Sequence, residues 1–443
     1  MKRVLVIAYY WPPSGGSGVQ RWVKFCKYLP SEGWEPVVFA PLNADYPSLD
    51  PSFERELPEN LEMLRGKIWE PYAAYRKLTG ARSTQVTEIS SGKKTWKQRL
   101  SLWIRANLFV PDPRVGWVKP SVKTLLRYLK EHPVDAIVTT GPPHSVHLIG
   151  QKLHKATGIP WMPDFRDPWS RMYYLKYLPM TAGTWAKLRA QEQAVLDNCN
   201  TVLACTPLVQ EEFQAQTRTS VACITYGFDE EDFTGPAPEG DGRFNITHTG
   251  LFAADGNPFT LWKVLKELAA EDPWFKESLR LCLVGKVDRE VLDAMADAGL
   301  QAIVVALGPC DHATAVREQR SATLLLLPLR NDAQYRPILP GKLFEYLAAR
   351  RPVLGIGQAD GSMARVLHST QAGITAEWDD AAAMKAFIAA AWKQFCEGSV
   401  PATAGDIGPY TRCATTHALA ALLDSVILSV DSVILSEAKD LKE

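Results

Sequence analysis

Apolar positions along the chain follow two periods in turn, which predicts strands alternating with helices. Val4–Ala8 is a short continuous apolar run and reads as a buried β-strand. A Gly-rich turn, Pro12–Gly18, follows it, and Val19–Leu29 then has helical spacing and ends before Gly33. Pro36–Ala40 is the next strand. This β–loop–α–β order is the signature of a parallel sheet. Residues 44–95 carry no clear period. Beyond them, Ser121–Glu131 is helical, Ala136–Thr140 a strand, His147–Ala156 a helix and Pro160–Asp164 a strand. Thr184–Asn198 and Thr201–Cys205 add another helix and strand.

The alternation stops at Thr225–Phe233, and a Pro/Gly-rich stretch, Gly235–Gly242, marks a domain boundary. It then restarts. The expected strands are Asn245–Thr249, Arg280–Val284, Ala302–Ala306, Thr323–Pro328 and Val353–Ile356. The expected helices are Pro258–Ala270, Arg289–Ala298, Thr314–Arg320 and Gly341–Ala349. Two α/β units in series predict two Rossmann-like domains facing across a cleft. The expected boundaries are 1–225 and 226–405, with 406–443 as a C-terminal helix or tail. That tail holds a tandem repeat, DSVILS, at 424–429 and 431–436, to which no chemistry is assigned.

Composition changes this picture little. The chain has 443 residues, 46% hydrophobic and 22% charged, as expected of a globular protein with two domains. Net charge is zero, yet residues 1–225 hold 29 basic against 19 acidic side chains, and the rest hold 20 against 30. Either an anionic partner for the first half or complementary domain faces fits that asymmetry. The eight cysteines are scattered without a CxxC pair or metal-ligand spacing, which argues against a zinc site or disulfide framework and suits a reducing cytoplasm. The apolar start is too short for a leader sequence and lacks a cleavage site, so it reads as the first strand. No run reaches the roughly 20 apolar residues of a membrane span. Lys93–Arg105 is basic, with Trp96 and Trp103 interleaved. It suits either the surface of an anionic membrane or a solvated helix with core-facing tryptophans.

Four segments carry candidate chemistry. Pro12–Arg21 (PPSGGSGVQR) lies between a strand and a helix, where glycines let the backbone approach a phosphate and a helix start favours an anion. A ligand-free turn fits the same residues. The segment does not match GxGxxG, because Arg21 stands where the third glycine would be. In Thr139–Ser145 (TTGPPHS), His144 opens a helix, whose positive end disfavours protonation; a neutral imidazole there can donate to a sugar hydroxyl, and a structural loop histidine fits the same position. In Asp164–Trp169 (DFRDPW), charges beside an aromatic at a strand end suit a polar ligand, or form a local ion pair. In Arg336–Leu354, Pro340 opens a helix and Gly341 permits close approach. Lys342 and Glu345, three apart, share a helical face. The lysine suits a diphosphate and the carboxylate suits two ribose hydroxyls.

Taken together these segments resemble glycosyltransferase family 4, in the subgroup that builds bacterial surface polysaccharides and glycolipids. YYWPPSGGSGVQR, TTGPPHS, PDFRDPW, TYGFDEEDF, ITHTG and PGKLFEYLAARRPVL carry the resemblance in order and spacing. It implies a GT-B fold, a nucleotide-diphosphate sugar donor, retention at the anomeric carbon and neither metal nor other cofactor. The implied partners are the donor and a glycan or lipid-linked acceptor. Contact with an anionic membrane fits such an acceptor, and nucleic acid is not expected. The implied location is cytoplasmic, peripheral on the inner face of the membrane. By position, Gly15, Gly16, Gly250, Arg336, Pro340, Gly341, Lys342 and Glu345 would bind the donor. Gln20, Arg21, Asp164, Arg166 and Asp167 would line the acceptor side, and His144 and Lys342 would be catalytic.

Two departures stand out. The family's carboxylate pair is Glu-x7-Glu, but Pro337 holds the first position. The usual Arg and Lys after the first strand of the second domain are also absent from Thr249–Ala254. A GT-B epimerase and a degenerate sugar-binding homologue therefore remain alternatives. A dinucleotide oxidoreductase is disfavoured by the lack of GxGxxG.

Overall fold

The computed structural model describes residues 1–68, 96–236, 238, 240–399 and 401–440. It divides into two compact units, Met1–Thr225 with Cys413–Glu443, and Tyr226–Arg412. Lys93 and Lys94 of the basic segment lie outside the described residues.

The first unit is built on strands β1 (Lys2–Ala8), β2 (Trp34–Pro41), β3 (Glu62–Gly66), β4 (Ala136–Gly141), β5 (Trp161–Phe165), β6 (Val202–Ala204) and β7 (Val221–Cys223). They form one sheet in the order β3-β2-β1-β4-β5-β6-β7, and every pairing is parallel. The all-apolar run Val4–Ala8 follows from this topology, since a parallel strand is buried on both faces. Its period of two serves two cores. Leu5 and Ile7 join one cluster, while Val4, Val6 and Ala8 join the other.

Helices cover both faces. Helix α1 (Ser17–Tyr28) packs Val19, Trp22, Val23 and Phe25 on the Val4/Val6 side. Helices α2 (Trp96–Leu108), α3 (Val118–Glu131), α4 (Ser145–Thr157), α5 (Ala182–Asp197) and α6 (Pro207–Gln214) follow in the chain. Of these, α3 to α6 bury Leu125, Ile149, Val195 and Phe213 on the Leu5/Ile7 side.

The second unit repeats the plan. Its strands are β8 (Phe244–Thr249), β9 (Leu279–Val284), β10 (Val304–Gly308), β11 (Leu324–Pro328), β12 (Val353–Ile356) and β13 (Gly373–Ala376). Their order is β10-β9-β8-β11-β12-β13, again all parallel. The leucine run of β11 splits as β1 does: Leu324 and Leu326 face one cluster, Leu325 and Leu327 the other. Helices α7 (Phe259–Glu271), α8 (Pro273–Ser278), α9 (Arg289–Asp297), α10 (His312–Ser321), α11 (Lys342–Ala349), α12 (Ser362–Ser369) and α13 (Ala381–Cys396) complete it. In each unit the strand order reverses beside the first strand, at β1/β4 and at β8/β11. Ligands of doubly wound sheets bind beyond the carboxyl ends of strands at such a point.

The C-terminal segment expected as a helix or tail is helical from Arg412 to Asp440. The final helix, α14 (Arg412–Asp440), buries Leu419, Ala420 and Leu423 on the α1 side of the first sheet. Asp424, in the first DSVILS copy, accepts from Lys2 Nζ at 2.7 Å and from the Trp34 indole at 3.0 Å. No described helix is long and apolar enough to cross a membrane.

Candidate functional site

In the second unit the reversal point gathers one cation and one carboxylate. Lys342 is the first residue of α11, and Glu345 follows one turn later. Pro340 lies one residue before the N-cap, Gly341, and so precedes the first turn instead of opening it. Its carbonyl accepts from Leu343 N at 3.0 Å and tightens the entry. A Cβ on Gly341 would meet nothing within 4 Å, so the space above it is open to a ligand.

Lys342 reaches back over the end of β8. Its Nζ lies 2.9 Å from where a Cβ of Gly250 would stand, and Gly250 also has φ of +95°. Both the backbone and the lysine therefore require glycine there. Nζ donates to His248 Nε2 at 3.4 Å. His248 Nδ1 faces the Leu326 carbonyl at 3.0 Å, which places the ring proton on Nδ1 and leaves Nε2 as the acceptor. Burial, with Lys342 beside it, holds His248 well below the ordinary histidine range, so it is neutral. Burial likewise lowers the lysine to about 8, with Glu345 opposing the shift.

Glu345 is aimed by a buried network. Gln319 Nε2 donates to Glu345 Oε2 at 2.8 Å and to Thr249 Oγ1 at 3.1 Å. Thr249 N donates in turn to the Tyr346 hydroxyl at 2.8 Å. Sequence reasoning missed His248, Gln319 and Tyr346. Arg336 does not join this group: its guanidinium forms a two-pronged pair with Asp360, at 2.9 and 2.8 Å. Pro337, in the position of the family's first glutamate, is buried.

In the first unit three of the four charged acceptor candidates are buried in internal contacts. Asp164 and Arg21 are fully buried and paired at 3.2 Å. Asp164 also accepts from the Trp22 indole at 2.6 Å and from Thr140 Oγ1 at 2.9 Å. Arg166 donates to the carbonyls of Gly141 at 3.1 Å, Pro142 at 2.6 Å and Gly18. A Cβ on Gly18 would lie 2.3 Å from that guanidinium. Part of the Gly-rich loop thus exists to seat an arginine, and Arg21, Asp164 and Arg166 have no free edge for an acceptor. Asp167 is half-buried, and burial raises its carboxyl from the ordinary value against the pull of Arg166.

The rest of that loop is tied to residues 48–50. Gly15 N donates to the Ser48 carbonyl at 2.9 Å, and a Cβ on Gly15 would crowd Asp50 at 3.1 Å. Gly16 is the N-cap of α1, with φ of 97° and open space above it. Gln20 is half-buried on α1.

His144 is the N-cap of α4, and Asp112 caps the same end through Ser145 N at 2.8 Å and Ser145 Oγ at 2.9 Å. The His144 ring stacks on Trp169, 5.0 Å away and 6° from parallel. Burial, then His147 and Arg166, keep it well below the ordinary range and neutral. Neither of its ring nitrogens hydrogen-bonds the protein. Among the described residues, no group of three His, Cys, Asp or Glu could hold a metal ion.

Residues 243–394 match the family described as Glycosyl transferases group 1. Three solved structures are similar along nearly the whole chain. Sucrose-phosphate synthase from Thermosynechococcus elongatus has TM-score 0.55 and 14% identity, covering 99% of this chain and 100% of that one. The lipopolysaccharide outer core galactosyltransferase WaaB, in its apo form, has TM-score 0.57 and 12% identity, covering 96% and 99%. Anabaena HepE in complex with UDP-glucose has TM-score 0.54 and 13% identity, covering 98% and 100%. A comparison with curated sequences gives no match. The fold is therefore GT-B, with two Rossmann-like units, and the segment that matches Glycosyl transferases group 1 lies in the second.

Proposed function

We propose that the chain is a retaining glycosyltransferase of the family 4 type. It would move a sugar from a nucleotide-diphosphate donor to a glycan or lipid-linked acceptor of the cell surface. The observation that carries this reading is Lys342 seated over Gly250, one turn from a Glu345 that Gln319 holds in place. This pair lies inside the segment that matches Glycosyl transferases group 1. The UDP-glucose bound by HepE supports the donor class. In this reading Lys342 meets the diphosphate, Glu345 the ribose, and Gly250 and Gly341 allow close approach. Gly15, Gly16 and Gln20 stay candidates for ligand contact in the first unit. Asp167 stays one for the acceptor, and His144 for a hydrogen bond to a reacting group.

During transfer the bond from the anomeric carbon to the diphosphate breaks, and negative charge grows on the leaving oxygen. A fixed cation there favours the transition state over the ground state. The acceptor hydroxyl adds on the same face and gives its proton to the departing diphosphate.

The test is thermal shift against UDP-, GDP- and other nucleotide sugars. One of them should raise the melting temperature saturably, by the linkage of binding to stability. No shift with any of them would sink the reading. Pro337 favours a second reading, a homologue that binds the donor without transfer. Donor binding with no transfer to any extracted acceptor would select it.

Membrane contact is part of the proposal and rests on α2. Its tryptophans face outward, Trp96 being 70% and Trp103 42% exposed, with Leu100 at 50% on the same face. The core-facing alternative for them is thus set aside. Vesicles rich in anionic lipid should carry the protein upward in a flotation gradient at low salt. Absence from the floating fraction would remove the membrane from the proposal.

A further inference from the structure

Glu345 is held by one oxygen and open at the other. Its Oε2 accepts from Gln319 Nε2 at 2.8 Å. The residue is half-buried, and its Oε1 accepts from no described residue yet is not enclosed.

Gln319 is the part of this arrangement that packing alone does not require. It is 0% exposed and lies in the last turn of α10. Its Nε2 also donates to Thr249 Oγ1 at 3.1 Å, but its own Oε1 is buried without a partner. A methionine would fill the same space without that unmatched oxygen, whose burial is unfavourable. Thr249 is held without the amide, since its Oγ1 donates to the Tyr346 hydroxyl at 3.3 Å. What the amide alone supplies is a donor to Glu345. Turned over, it would set Oε1 against a carboxylate, two acceptors face to face. The carboxylate therefore dictates which way the amide lies.

The helix that carries Gln319 is itself anchored. Asp311 caps its start through Thr314 N at 2.7 Å. Arg320, the next residue, donates to the carbonyls of Thr234, Gly235 and Pro236 at 3.0, 2.7 and 2.9 Å. Helix α11 is tied to β8 by the Tyr346 hydroxyl, which accepts from Thr249 N at 2.8 Å. The carboxylate is thus fixed from both helices.

A carboxylate has about four lone-pair positions. An unanchored glutamate can swing to meet any single hydroxyl and loses little when a second is missing. An anchored one presents Oε1 in one place, with the remaining position on Oε2 beside it. Two adjacent hydroxyls of one ring fill both. A ring that lacks one of them leaves a fixed acceptor unmatched, which is how such sites discriminate.

We propose that Gln319 is a positioning residue, which fixes Glu345 so that the site takes ribonucleoside diphosphates and rejects their 2′-deoxy counterparts. The step rests on the transferase reading, in which Glu345 meets the ribose. It assigns the choice between ribose and deoxyribose to an amide that touches neither.

The test is isothermal titration with matched pairs: UDP and dUDP, CDP and dCDP, ADP and dADP, GDP and dGDP. At least one ribonucleotide should bind roughly tenfold or more tightly than its deoxy partner. In Gln319→Met that ratio should fall below about threefold, through weaker binding of the ribonucleotide, while the melting temperature holds or rises. In Glu345→Ala the ratio should be near one, and adding Gln319→Met should not change it further, the mark of a residue that acts through another. A role in packing alone would weaken both members of a pair alike and leave the ratio as it was. Equal binding of both members by the parent protein overturns the proposal without any variant. So does an unchanged ratio in Gln319→Met, or a ratio that Gln319→Met still lowers beside Glu345→Ala. Each of these leaves the transferase reading standing. If Gln319→Met does not fold, Thr249→Val removes the amide's second anchor and should lower the ratio part of the way; no change there overturns the proposal. Binding of none of these nucleotides removes the proposal and the transferase reading together.

Discussion

Replacing Lys342 with alanine should lower turnover by roughly 10²–10³-fold, the size of effect seen when one fixed charge-stabilising group is lost. The expectation comes from how the ammonium is held. It lies against Gly250 and donates to a neutral His248 whose tautomer is set by Leu326. Such a cation needs no reorganisation when the diphosphate departs. Lys342→Arg should recover little, since the planar fork is larger and the floor above Gly250 is already filled. Lys342→Met keeps the apolar stem and removes a charge whose burial is unfavourable. Its melting temperature should equal or exceed that of the parent, while turnover falls as in the alanine variant. Normal turnover in either variant would end the role. The pH profile gives an independent check. The lysine is lowered to about 8 by burial, from the ordinary lysine value of 10.5. The protonated fraction therefore falls as pH rises through about 8, and kcat/KM should fall with it. The limit is about tenfold per pH unit. A bound diphosphate favours the charged form, so donor binding above pH 8 should take up a proton.

Much of the fold was legible because its signals are local. The apolar runs of β1 and β11 are short and unbroken, as fully buried parallel strands must be. Lys342 and Glu345 are one helical turn apart, so their shared face follows from spacing alone. The strands β3, β7 and β13 were not read, because they are short and carry no sustained apolar run. His248, Gln319 and Tyr346 were not legible for another reason. His248 lies 94 residues from Lys342, Gln319 70 from Thr249, and Tyr346 97 from Thr249. Each looks like an ordinary core position until the sheet brings β8, β11 and α11 together. A polar side chain inside an apolar strand, as His248 is in ITHTG, is the only local hint that was available.

The charged residues of the first unit stayed between two readings in the sequence for a different reason. Asp164 and Arg166 stand at the end of β5 beside Trp169, a composition shared by ligand pockets and by buried clamps. What separates the two is Gly18, on whose Cα the Arg166 guanidinium lies. Sequence places Gly18 in a Gly-rich loop, where a phosphate explains it equally well. Only the fold shows that three backbone carbonyls, from β4 and α1 segments, already occupy that arginine.

Asp164→Ala should therefore destabilise the protein and not merely weaken a substrate. The carboxylate is fully buried and accepts from Arg21, Trp22 and Thr140. Its removal leaves the Arg21 charge buried without its carboxylate, while the Thr225 carbonyl still accepts from it at 2.8 Å. Breaking a buried pair from one side costs about 3–5 kcal/mol. At roughly 2–4 °C per kcal/mol for a unit of this size, melting should fall by about 6–20 °C. Asp164→Asn keeps the shape and two of the acceptor contacts, so it should fall between the two. The double variant Arg21→Met with Asp164→Leu removes both charges and should recover most of the loss, because apolar replacements of a buried pair are often neutral. That recovery, read as a coupling in a double-mutant cycle, separates a clamp from a ligand contact. An acceptor-binding role predicts the reverse pattern, a raised acceptor KM with unchanged melting in Asp164→Ala and no rescue in the pair. The clamp also explains why these charges lie where they do. By pinning the carbonyls of Gly18, Gly141 and Pro142, Arg166 fixes the loops after β1 and β4, and the second of these carries His144.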